Sequence, residues 1–281
     1  MSEPEGRGAA VKGDGEAGRG PARERANTVS VTPLPRVDDP WRPVELAQGA
    51  LVMFTGRGGG VSAAPFETLN MSRSVGDQAS AVAANRRRVA QACGLQPEQL
   101  SWMHQVHGSA VSYARPAPQG ELPEVDAMFT DVPARALVVL VADCAPVLLA
   151  DPEARIVGAA HAGREGMATG VVTELVTAMS GAGADPARLH AVIGPHICGA
   201  CYEVPAELRA RVADQEPESA CVTRAGTPGI DIGAGIEAQL ARAGVRTVAA
   251  DPRCTAETPE LYSYRRDGLT GRFAGLIWLT P

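Results

Sequence analysis

Seven consecutive apolar residues, Ala136 to Ala142 (ALVVLVA), constrain this chain more than any other stretch. Such a run has no polar face to turn to water, so it reads as a strand buried on both sides. It stops at the polar pair Asp143-Cys144. Two shorter apolar runs, Val147 to Ala150 and Ile156 to Ala160, follow almost at once, divided by the turn pair Asp151-Pro152. Strands packed this closely in sequence leave no room for a crossover helix between them, which argues against a purely parallel sheet.

The rest of the chain mixes both periods. Ala50 to Phe54, Leu189 to Ile193, Val245 to Ala249 and Phe273 to Leu279 read as further strands. Met167, Val171, Val172, Leu175, Val176 and Met179 form one apolar face of a single predicted helix. A helix is predicted over Ala79 to Cys93, with Asp77 as N-cap and Gly94 as stop, and others near Ala206 to Val212 and Ile236 to Ala243. Irregular alternation with adjacent strand pairs predicts the α+β class: a single-domain α/β/β/α sandwich with mixed sheets. Residues 1–40 contain no Phe, Trp, Tyr or Ile, and their first Leu is Leu34. Such a segment buries too little apolar surface to offset its ordering entropy, so a disordered tail is expected, with the domain over 41–281 and its fold starting near Trp41.

The net charge of −6 shows no basic surplus, which argues against a nucleic-acid partner. The run Arg86-Arg87-Arg88 reads as a solvated helix face. No apolar stretch approaches the ~18 residues of a membrane span, and no apolar leader opens the chain. The six cysteines are sparse for a disulfide scaffold. A cytoplasmic protein with free thiols and no membrane partner is expected.

Three metal-capable residues stand at or beside predicted strand ends: His107, Cys144 and His161. Two imidazoles and a thiolate are zinc ligands, and three protein ligands leave a fourth place for water or substrate. The same atoms allow another chemistry, with Cys144 as nucleophile, His161 or His107 as its base and Asp143 orienting a histidine. Cys198-Gly199-Ala200-Cys201 is a CxxC without a second CxxC, so it reads as a tight turn carrying ordinary thiols. The loop Gly56-Arg57-Gly58-Gly59-Gly60-Val61-Ser62 lacks the Gly-Lys-Ser/Thr of a P-loop. It is either an anion cradle helped by Arg57 or a plain turn. Tyr264-Arg265-Arg266-Asp267 reads as a paired surface turn rather than an anion clamp.

Several segments, taken in order, resemble one family. They include Arg57-Gly58-Gly59-Gly60-Val61-Ser62, Leu69-Asn70, Gly76-Asp77, Asn85-Arg86, Gln105-Val106-His107-Gly108, Val125-Asp126-Ala127 and Ala142-Asp143-Cys144-Ala145-Pro146-Val147. They continue through His161-Ala162-Gly163, Ile193-Gly194-Pro195, Tyr202-Glu203-Val204, Arg253-Cys254-Thr255, Ser263 to Asp267 and Thr270-Gly271-Arg272. From about residue 45 to residue 280 the chain resembles the laccase-domain (YfiH-like) family, whose members are described as multicopper polyphenol oxidases, purine nucleoside phosphorylases or peptidoglycan-editing factors.

The resemblance implies a compact sandwich with a zinc site, copper being the other candidate metal, held by His107, Cys144 and His161. It implies phosphorolysis of adenosine, inosine, guanosine and methylthioadenosine, with adenosine deamination beside it, so nucleoside and phosphate are the expected partners. Arg57 is the candidate for holding phosphate and for a catalytic role, with Asp143 and Arg164 as further substrate-side candidates. Arg164-Glu165 stands where many members have Trp-Arg, and His104 stands where a Glu is common. The five histidines cannot supply the roughly ten ligands of a multicopper cluster within one chain. Two other readings remain: a Cys-dependent hydrolase or amidase editing peptidoglycan precursors such as a UDP-muramoyl-amino acid, and a non-catalytic partner protein.

Overall fold

The computed structural model describes residues 1, 30–33, 42–115 and 122–281. Strands are numbered in chain order. One sheet of seven runs Ser30–Pro33 (β1), Thr247–Ala250 (β13), His190–Ile193 (β10), Ala145–Asp151 (β8), Ile156–Ala162 (β9), Ala127–Thr130 (β6) and Val111–Tyr113 (β5). A second sheet of five runs Val44–Ala47 (β2), Ala50–Phe54 (β3), Phe273–Leu279 (β14), Ala136–Val141 (β7) and Leu100–Ser101 (β4). Both mix parallel and antiparallel pairs. A small hairpin, Ala220–Val222 (β11) with Pro228–Ile230 (β12), stands apart.

The period of two explains the layering. In β8, Val147 and Leu149 face a core shared with the helices, while Leu148 and Ala150 face the other sheet. In β7, Leu137, Val139 and Val141 enter the core between the sheets, while Ala136 and Val138 pack beneath helix α1 (Ala79–Ala92). That two-sided burial is why the run is apolar throughout. On the far side of the seven-stranded sheet lie α2 (Arg164–Ala168), α3 (Val171–Gly181) and α5 (Ile232–Arg242). The order is helix, sheet, sheet, helices: the α/β/β/α sandwich expected from the sequence. Two short helices, α4 (Ala206–Ala213) and α6 (Tyr264–Asp267), complete the described α-helices. None of the described helices is long and apolar enough to cross a membrane.

Five local expectations are corrected. The predicted helix from Met167 to Met179 is two helices, because Gly170 takes φ 83°, a left-handed turn that leaves Met167 on α2 and the other five apolar residues on α3. Asp77 does not cap α1. Its carboxylate accepts from Ser62 and Asn70, at 2.6 and 2.9 Å, and the cap position is Gln78. Helix α5 begins a turn earlier than its apolar pattern, where the Asp231 carboxylate accepts the Ala234 N–H at 3.0 Å. Residues 30–33, inside the stretch read as a disordered tail, form edge strand β1, parallel to β13. The remainder of that stretch apart from Met1, and the proposed start at Trp41, lie outside the described residues. Arg86 also departs from a solvated face: its Nε donates to the Met71 carbonyl at 2.9 Å and its guanidinium stacks 3.6 Å above Trp102.

At the end of β8 the fully buried Asp151 carboxylate accepts from the backbone of Glu153, Ala154 and Asp185, and from Arg188 at 3.0 Å. Burial would raise its pKa, but these donors outweigh it and hold the carboxyl below its usual range. A carboxyl depressed in the fold contributes stability that is complete above the unfolded pKa of about 3.9 and is lost as pH falls through the folded value. Asp151→Asn is therefore expected to lower stability by about 1–3 kcal/mol at pH 7 and by less in acid. Urea unfolding across that range checks it; an equal loss at every pH counts against it.

Candidate metal centre

The chain passes from the five-stranded to the seven-stranded sheet in three residues, Ala142 to Cys144, between β7 and β8. Asp143 makes this corner with φ 95°, a conformation few side chains accept. Its carboxylate is anchored there by the hydroxyls of Thr255 and Ser263, at 2.6 and 2.7 Å, and by the Arg265 N–H at 2.7 Å. Both oxygens are thus committed to the C-terminal segment. Asp143 does not orient a histidine, as its place beside Cys144 had suggested, and it is poorly free for substrate.

The residue that orients is Asp126, just before β6. Fully buried, it accepts the consecutive N–H groups of Val106, His107 and Gly108, at 3.1, 3.0 and 2.7 Å. This cradle holds His107 at φ 63°. The same carboxylate lies 2.8 Å from Nδ1 of His161, whose place in β9 is opposite Pro146 of β8. A carboxylate can only accept, so His161 carries its proton on Nδ1 and keeps Nε2 for a ligand. Sequence reasoning quoted Asp126 only within a matching segment; an acceptor for three neighbouring N–H groups has no local signature.

The ligand atoms of His107, Cys144 and His161 all lie within 4.8 Å of one another. The two rings meet edge to face with centroids 4.8 Å apart. His161 is buried, Cys144 half-buried and His107 exposed, so the group opens to solvent on one side. Burial alone would push the Cys144 thiol up, but His161 and His107 outweigh it and hold it down to about 6. His161 moves the opposite way: burial opposes its charge, yet Cys144 and Asp126 raise it to about 9. The pair favours a thiolate beside an imidazolium, and a cation entering the cluster would displace that proton. A thiolate and two imidazoles fit a borderline-soft divalent ion with one place left open.

Gly163 follows directly. A Cβ there would stand 2.8 Å from Cys144 Sγ and 3.2 Å from His107 Cδ2. Gly163→Ala is expected to weaken metal binding at least about tenfold, as disturbed outer partners do. The stability cost should stay near the ~1–3 kcal/mol of overpacking. Competition with a chelator, beside a circular dichroism melt, reads the two separately; unchanged affinity would refute the steric argument.

The other sequence candidates lie around or away from this group. Arg164 folds onto Glu165 Oε1, at 3.0 and 2.5 Å, beside Tyr202, whose ring also lies under Arg265 at 4.9 Å. Arg57 is answered by Asp267 at 3.4 Å and Glu67 at 3.6 Å. In its loop the N–H groups of Arg57, Gly60, Val61 and Ser62 are taken, by Glu260, Thr68 and Asn85. His104 is exposed and pairs with Glu124 at 3.5 Å, outside the ligand group. The segment Tyr264 to Asp267 is more than a surface turn, since Arg265 donates to the Glu203 carbonyl and Arg266 to those of Thr255, Thr258 and Leu261. Arg272, which the sequence marks only within a family-like segment, is a further candidate. Its guanidinium is half-buried, donates only to the carbonyls of Thr270 and Gly271, and has no carboxylate partner within salt-bridge distance among the described residues. Burial lowers its pKa, and the charges of Cys144 and Asp143 act on it in the other direction, which puts it within electrostatic reach of the cluster.

Comparison with known proteins agrees with this architecture. A Streptomyces coelicolor protein named purine nucleoside phosphorylase is 51% identical, over 84% of this chain and 98% of that protein. A Mycobacterium tuberculosis protein of the same name is 47% identical, over 80% of this chain and 90% of its own length. The crystal structure of the Bacillus licheniformis hypothetical protein YfiH superposes with a TM-score of 0.79 at 28% identity, covering 87% of this chain and 98% of that one. The sequence profile described as multi-copper polyphenol oxidoreductase laccase matches residues 51–280, and the chain belongs to that family.

Proposed function

We propose that the chain is a zinc-dependent purine nucleoside phosphorylase, acting with phosphate on adenosine, inosine, guanosine and methylthioadenosine, and that the same site deaminates adenosine. The observation that carries this is the convergence of His107, Cys144 and His161 within 4.8 Å, in a chain whose relatives bear the phosphorylase name. Zinc suits a set of two imidazoles and one thiolate and would supply a Lewis acid with an open coordination place.

The protein's own residues have distinct tasks. Asp126 keeps the His161 proton on Nδ1 and fixes the His107 loop. In phosphorolysis a phosphate oxygen bonds to the anomeric carbon, the bond from that carbon to the purine breaks, and the leaving purine nitrogen takes a proton. The phosphate must be held against its own charge. Arg272, with no carboxylate within salt-bridge distance among the described residues, suits this better than Arg57, whose charge Glu67 and Asp267 already answer. Arg164 lines the approach beside Tyr202.

Mass spectrometry of the zinc-loaded protein, given each nucleoside with and without phosphate, tests the reading. Free base and ribose 1-phosphate (5-methylthioribose 1-phosphate from methylthioadenosine) are expected only with phosphate, and ammonia from adenosine in either case. Release of neither base nor ammonia overturns it. The depressed Cys144 thiol beside the raised His161 favours one alternative, a Cys-dependent hydrolase or amidase acting on peptidoglycan precursors. Activity that survives chelation but not thiol alkylation would select it.

A further inference from the structure

The CxxC that looked solitary in the sequence is not solitary in the fold. Cys198, Cys201, Cys254 and Glu257 bring three sulfurs and a carboxylate oxygen within 4.8 Å of one another. The two halves are alike. Cys198 to Cys201 is a turn closed by the Cys201 N–H on the Cys198 carbonyl at 3.0 Å. Cys254 to Glu257 is a turn closed in the same way at 3.1 Å. Each turn presents its first and fourth side chains to the other. The Cys198 N–H donates to Cys254 Sγ at 3.4 Å, which ties the two turns together.

We propose that Cys198, Cys201, Cys254 and Glu257 form a second metal site, separate from the His107, Cys144 and His161 centre, that takes a soft divalent cation, zinc foremost. Three thiolates and one carboxylate make a closed four-ligand set, the pattern of a structural rather than a catalytic zinc. A disulfide is the weaker account of the same cluster, because three thiols cannot all be paired and the carboxylate would have no part. The charge is also provided for. Three thiolates and a carboxylate exceed a divalent ion by two negative charges. Arg224 pairs with Glu257 at 2.6 Å, and Arg266 donates to the carbonyl of Thr255, the neighbour of Cys254, at 2.8 Å.

The position gives the site its role. Cys254 bridges to His196 across the two segments, and the Thr255 N–H donates to the His196 carbonyl at 3.0 Å. The Thr255 hydroxyl then anchors Asp143, and the Ile197 N–H donates to the Asp143 carbonyl at 2.9 Å. A metal clip here fastens the two segments that fix the corner carrying Cys144. It stands whether or not the nucleoside reading does.

The test uses the Cys144→Ala protein, purified without oxygen, so that the first centre has no thiolate. Cobalt(II) is titrated in, and alkylation of each cysteine is then mapped by mass spectrometry. Thiolate-to-cobalt charge-transfer absorption is expected. Cys198, Cys201 and Cys254 should be protected together, while Cys93 and Cys221 respond no differently to metal. Absence of that absorption, equal alkylation with and without metal, or a disulfide within the cluster would overturn the proposal. In otherwise native protein, Cys198→Ser/Cys201→Ser is expected to lose one zinc per chain and keep the other, with a lower melting temperature. If that variant fails to fold, the cobalt and alkylation results still decide.

Discussion

Cys144→Ala is expected to lower phosphate-dependent base release by more than about 100-fold, because disturbing even the outer partners of a metal site costs about 10–100-fold and this change removes a ligand. The fold should survive. Cys144 is only partly buried at the edge of the core between the sheets, and alanine fits the space its thiol leaves. Metal analysis should show the loss at this centre alone. His107→Ala should match it in both activity and metal content, since the two side chains share one ion in this reading. A Cys144→Ala protein with near-native activity would end the metal-centre account. So would a His107→Ala protein that kept its metal yet lost activity, which would shift the role of His107 to that of a base for the thiol.

Asp126→Asn should produce the second large effect, on two measurements at once. The carboxylate accepts four donors: three backbone N–H groups and Nδ1 of His161. An amide presents one oxygen and one NH2 group, so at least one donor meets another donor. Stability should fall by about 3 kcal/mol, in line with a broken buried charged network. His161 is also freed to move its proton to Nε2, which removes its ligand lone pair, and metal affinity should fall by about 10–100-fold. Denaturant unfolding and chelator competition measure these separately. An Asn variant destabilised but with native metal affinity would limit Asp126 to holding the loop.

The acid response has a definite sign. Burial would raise the Asp126 carboxyl, but its bonds to His161 and the backbone of the His107 loop win and hold it low. Its contribution to stability is therefore complete at neutral pH and lost as pH falls below about 4 toward the folded value. Wild-type protein should lose this contribution in acid, and Asp126→Asn should already lack it.

Much of the fold was legible because strand and helix periods are local. The seven-residue apolar run, β3 at Ala50–Phe54 and β14 at Phe273–Leu279 were placed by pattern alone. The break at Gly170 was missed because an apolar stripe at helical spacing looks the same whether or not one residue turns left-handed between its members. Edge strand β1 was missed because its signal is weak: four residues paired along one side only.

What the sequence by itself determined was which residues could bind a soft cation and which segments had to be buried on both faces, since side-chain chemistry and hydropathy are carried residue by residue. Only the tertiary structure decided which of those groups meet. The register that sets His161 opposite Pro146, the corner that swings Cys144 beside it and the carboxylate that gathers the His107 loop across 19 residues are products of sheet pairing. The same holds for Cys254, which reaches the CxxC across 56 residues. Contacts between distant residues are fixed by backbone pairing and shared burial, and neither is written into the local order of the side chains that result.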